Sequence, residues 1–151
     1  SRRTALAVAG VLLAACSKRE QITSIAQLDG KQFKLASLRG RPAVLVFWGM
    51  WAPGSLARLE SVQAAVAKLE ANGRPALVTV NLDSASDAAR AGVVNLGTGW
   101  IHTRLAGNAM FDVTERLSVD TLPMVLLLDA QGAPLDRVVR SSGGELQRAN
   151  T

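Results

Sequence analysis

The stretch Ala43-Val44-Leu45-Val46-Phe47-Trp48-Gly49-Met50-Trp51-Ala52-Pro53-Gly54-Ser55 constrains the fold more than any other. Six consecutive apolar, β-favouring residues from Ala43 to Trp48 predict a strand buried on both faces, because a strand wet on one face alternates polar with apolar. A Gly-aromatic turn follows. Pro53 then opens a helix expected to run to about Ala71, with Leu56, Leu59, Val62, Val66 and Leu69 at spacings of three and four on one face.

The rest of the chain supplies elements to cover such a strand. At 151 residues, 48% of them hydrophobic and 19% charged, it is globular and long enough for one domain with a sizeable core. Ile22 to Leu28 is a short amphipathic lead-in, and Asp29-Gly30 a turn. Lys31 to Leu35 alternates and predicts an edge strand, followed by the connector Ser37 to Pro42. Asn72-Gly73 caps the long helix, Pro75 to Leu82 is a second apolar strand, and Asp87 to Leu96 a short helix. Trp100 to Leu105 reads as a short strand, Met110 to Leu117 as a brief helix, and Thr121 to Asp129 enters a third apolar strand. Ala130-Gln131-Gly132 is a hairpin turn into Leu135 to Arg140, and Glu145 to Ala149 begins a helix that the chain barely completes. Strands alternating with helices and closed by a hairpin predict an α/β sandwich with a mixed central sheet.

The net charge of +5 comes from 17 basic and 12 acidic residues, and Arg2, Arg3, Lys18 and Arg19 carry four of the positive charges. Further on, basic residues stand singly (Lys31, Lys34, Arg39, Arg41, Arg58, Lys68), with no basic stripe interleaved with aromatics for a nucleic acid. At the N-terminus, Arg2-Arg3 precedes the apolar run Ala5 to Ala15. As a helix that run rises only about 16 Å, against the roughly 30 Å of a bilayer core, so it predicts a secretory signal rather than a stable anchor. Leu13-Ala14-Ala15-Cys16 resembles the bacterial lipobox, which implies cleavage before Cys16 and a lipid on the only cysteine of the chain. The expected division is a signal peptide over 1–15, a tether over 16–27 and a single domain over 28–151 whose last helix is cut short.

The lead-in Leu28-Asp29-Gly30-Lys31, continuing through Leu35 to Leu38-Arg39-Gly40-Arg41-Pro42, resembles that of TlpA-like and peroxiredoxin-like domains. The junction Phe47-Trp48-Gly49-Met50-Trp51-Ala52-Pro53-Gly54-Ser55 resembles the F-W-A-x-W-C-x-x-C redox site of the TlpA-like branch of the thioredoxin superfamily. The resemblance implies a thioredoxin-like three-layer sandwich, a mixed sheet flanked by helices, and thiol–disulfide oxidoreductase chemistry in the bacterial envelope. It also maps the two redox cysteines onto Ala52 and Ser55. Thr121-Leu122-Pro123 resembles the T-x-P entry in which a cis-proline faces the site, so Trp48, Trp51, Pro53, Leu122 and Pro123 are the residues expected to line a peptide groove. Core packing against the first helix turn is the competing reading of the tryptophans, and it fits Trp48 better than it fits Trp51.

Neither mapped position carries a thiol, and a hydroxyl at Ser55 is too weak an acid to replace one. His102, the only histidine, has no orienting carboxylate in evidence, and one histidine with three scattered methionines makes no metal set. No phosphate loop or cofactor motif appears, so no metal and no cofactor is expected. Asp83, where some relatives place a buried acid, reads as a cap or turn residue. Three functions remain: a redox-inactive envelope protein that binds a protein client through the groove, an oxidoreductase whose cysteines were substituted, and a structural lipoprotein with an unused fold. Whether the chain is an enzyme turns on positions 52 and 55.

Overall fold

A computed structural model describes residues 24–140 and 146–149; the expected signal segment over 1–15 and Cys16 lie outside the described residues. In chain order the strands are β1 (Ser24–Gln27), β2 (Gln32–Lys34), β3 (Ala43–Trp48), β4 (Ala76–Asn81), β5 (Trp100–Arg104), β6 (Met124–Leu128), β7 (Pro134–Arg140) and β8 (Leu146–Ala149). The helices are α1 (Ser55–Ala67), α2 (Ser86–Val93) and α3 (Asn108–Arg116). One mixed sheet runs β2-β1-β5-β4-β3-β6-β7-β8. β3 pairs parallel with β4 and antiparallel with β6, so the apolar run lies in the interior of the sheet.

The two faces of β3 feed two different cores. Ala43, Leu45 and Phe47 pack with Val78, Val80, Met124 and Leu126 under Val113 of α3. Val44, Val46 and Trp48 face the other way, against Leu59 of α1 and Val93 of α2. Helices therefore cover both sides, which is the thioredoxin-like three-layer arrangement, and every residue of β3 is buried. That double covering explains why the strand shows no alternation.

Three expectations give way. The long helix starts at Ser55 rather than Pro53, because Gly54 has φ +81°, a left-handed conformation that cannot belong to the helix. It ends at Ala67, and Leu56 and Leu69 are exposed although they continue the apolar spacing. The lead-in before Leu28 contains β1, which pairs with both β2 and β5, so its described part is sheet and not tether. At the other end, residues 146–149 form β8 against β7 instead of a helix. Pairing with an open sheet edge outweighs the weak helix propensity of so short a segment.

Candidate functional site

The site grows from the point where β3 leaves the core. Trp48, 0% exposed, still belongs to the sheet, and its six-membered ring closes on α2 so tightly that a Cβ at Gly92 would fall 2.3 Å from it. Its indole N–H has no hydrogen-bond acceptor among the described residues. Trp48 is thus a core residue and does not line a groove. A large side chain on the inward face of a central strand has nowhere else to go.

From Gly49 onward the chain turns outward, and polar contacts hold it there. The Met50 amide donates to both carboxylate oxygens of Asp83, at 3.0 and 2.9 Å. Asn81 donates from Nδ2 to the same carboxylate at 2.6 Å and accepts the Asp83 amide at 2.9 Å. Arg104 donates to the Asp83 carbonyl at 2.9 Å. The buried acid is therefore more than a turn residue: it ties the end of β4 to the loop after β3. Position 83 could be read from the sequence as a strand end, but nothing in it marks Met50 as the partner.

Ala52 and Ser55 follow, 4% and 2% exposed. The Ala52 amide donates to the Gly49 carbonyl at 3.0 Å, and the Ser55 amide donates to the Ala52 carbonyl at 3.2 Å. The Ser55 hydroxyl accepts the Gly49 amide at 3.3 Å, which stitches α1 to the loop. Ser55 is the first residue of α1 and Ala52 lies just ahead of it, where partial positive charge from the helix would favour a thiolate. Ala52 has no ionisable group, and the Ser55 hydroxyl is too weak an acid to ionise there.

His102 does not meet Ser55's network. Its Nδ1 forms a 3.0 Å hydrogen bond with Thr79 Oγ1, and its ring stacks on Trp100 at 6.4 Å between centroids. Burial pushes its pKa below the ordinary 6.5. Ser55 is committed to Gly49 and His102 to Thr79, so no nucleophile–base pair is assembled. Among the described residues no group of three His, Cys, Asp or Glu could hold a metal, and no helix is long and apolar enough to cross a membrane.

Trp51 is 65% exposed, and its indole folds over Gly49, where a Cβ would meet its Nε1 at 2.8 Å. It borders an open cleft of about 350 Å³ together with Leu82, Met110, Phe111, Val119 and Leu122, with Thr114, Asp120 and Thr121 completing the wall. The Leu122–Pro123 bond is cis. Of the expected groove residues the structure brings Trp51 and Leu122 to the cleft; Pro53 and Pro123 flank it in sequence without lining it. Phe111, 64% exposed on α3, was not anticipated. An aromatic beside the buried Val113 on a short helix was the available signal.

A family model described as the AhpC/TSA family matches residues 19–136. Among solved structures, the chain is similar to a secreted Mycobacterium tuberculosis disulfide oxidoreductase homologous to E. coli DsbE, with 25% identity, a TM-score of 0.62, and 78% of this chain and 83% of that one covered. The thioredoxin domain of a Bacteroides vulgatus thiol-disulfide oxidoreductase gives a TM-score of 0.69 at 15% identity, covering 78% and 84%. The exposed lipoprotein thioredoxin of Streptococcus pneumoniae gives 0.60 at 18%, covering 76% and 85%. No curated protein matches.

Proposed function

The chain belongs to the AhpC/TSA family, and on that premise we propose that it is a redox-inactive binding protein of the bacterial envelope, holding a segment of a protein client in the cleft beside Trp51. One observation carries this reading. The junction keeps an exposed Trp51 over an apolar cleft, while positions 52 and 55 are buried and free of sulfur. Disulfide exchange and peroxide reduction both begin with an attacking thiolate, and neither residue can form one. Binding needs no such group. Thr121 and Leu122 lie between α3 and β6, outside any strand, where an extended peptide in the cleft would meet their backbone groups.

The envelope assignment rests on the Ala5 to Ala15 run and on Leu13-Ala14-Ala15-Cys16, with a lipid on Cys16 as the membrane attachment. It is in keeping with the description of the Streptococcus relative as an exposed lipoprotein. A second reading, an oxidoreductase with both cysteines replaced, is favoured by the intact strand-to-helix junction and by relatives described as thiol-disulfide oxidoreductases. The codons for positions 52 and 55 in the native gene decide between the two.

The chain should reduce insulin no faster than background. Reduction clearly above background overturns the proposal. In a membrane pull-down, the wild-type chain should retain a specific partner that the Trp51→Ala variant loses. Identical partner sets would instead favour a structural lipoprotein whose groove is unused.

A further inference from the structure

Six of the nine residues lining the cleft are apolar and its one charge is negative, although the chain as a whole carries +5. Asp120 is the sole charged residue in the lining. Glu115 stands one helical turn beyond Phe111 on α3, hence on the same stripe as the aromatic that walls the cleft. Both acids are exposed. The ion pairs among the described residues are Lys31–Asp29 and Arg90–Asp87, so neither Asp120 nor Glu115 is neutralised by a described cation. Trp51 and Phe111, each about two-thirds exposed, face solvent across the same cleft, and large apolar side chains at that exposure mark a contact surface.

We infer that the cleft is selective for a client segment that places a large apolar side chain between Trp51 and Phe111 with Lys or Arg beside it, facing Asp120 and Glu115. This deepens the binding reading above and rests on it. Apolar contact supplies the affinity, while rim charges set preference and association rate, because an exposed charge pair contributes little once solvated. The same charges disfavour two other occupants. A second copy docked by two-fold symmetry would bring the acidic rim against itself, and an anionic lipid surface would be repelled.

The test uses the full chain and three blocked nonapeptides with a central Phe, flanked by Lys, Gln or Glu, titrated by NMR shift perturbation. The expected order is Lys over Gln over Glu, with the Lys peptide at least about threefold tighter than the Glu peptide at low salt. The spread should shrink at 0.5 M salt, since screening then acts within about 4 Å. It should also collapse in the Asp120→Asn/Glu115→Gln variant. Equal binding of all three peptides, with loss on Trp51→Ala, overturns the charge selectivity and leaves the groove intact. No binding of any peptide at millimolar concentration overturns the groove reading as well.

Discussion

Trp48 and Trp51 are three residues apart and live in opposite environments: one is sealed against α2, the other lies in water over Gly49. Between them, Asp83 takes the Met50 amide and Ser55 takes the Gly49 amide. The pair shows how one short segment serves both fold and site. The strand supplies the rigidity, two hydrogen-bonding side chains set the exit direction, and only then does an aromatic become available to a partner. Rigid elements position a binding residue better than a free loop does.

Substitutions along this segment should separate the two roles. Trp48→Ala empties the largest fully buried side chain and should cost about 3–5 kcal/mol in a urea unfolding experiment. A loss under about 1 kcal/mol would mean that Trp48 is not packed as described. Asp83→Ala leaves the Met50 amide and the Asn81 side chain without their acceptor in a part-buried setting, at about 1–3 kcal/mol. Its effect on peptide affinity should exceed that of any equally destabilising core change, because it also frees the loop that aims Trp51. Equal effects would remove the clamp role.

The third expected effect is pH-dependent. Burial keeps the folded His102 pKa below 6.5, so the unfolded chain takes up a proton that the folded chain resists. Its contribution to stability is whole above pH 6.5 and is lost as the pH falls through that value toward the folded pKa. Urea midpoints at pH 8 and pH 5 should therefore draw closer together in His102→Gln than in wild type; a wider gap would contradict the sign. Smallest of all, Trp51→Ala should change stability by less than about 0.5 kcal/mol, as exposed positions do, while abolishing peptide binding.

Much of this was legible in the residues, for definite reasons. The bounds of β3 follow from an uninterrupted apolar run, and the reading of Thr121-Leu122-Pro123 as the cis entry agrees with the structure. Helix periodicity misled at Leu56 and Leu69, because a spacing rule marks a face without saying how far along it the sheet extends. The strand at residues 146–149 was hidden for a related reason: its pairing partner, β7, is a property of the assembled sheet and not of the four residues themselves. The Asp83–Met50 contact, spanning 33 positions, and the approach of α3's Phe111 to Trp51 are likewise products of assembly.

The indole of Trp51 lying across Gly49 has a consequence for how the molecule can be observed. Of the three tryptophans, Trp48 is sealed and Trp100 half-buried beside His102, so a soluble quencher such as acrylamide reaches Trp51 first. The red edge of the emission then belongs mainly to the one fluorophore that a bound segment would cover. The protein thus carries its own optical gauge of cleft occupancy, and no label need be attached to either side.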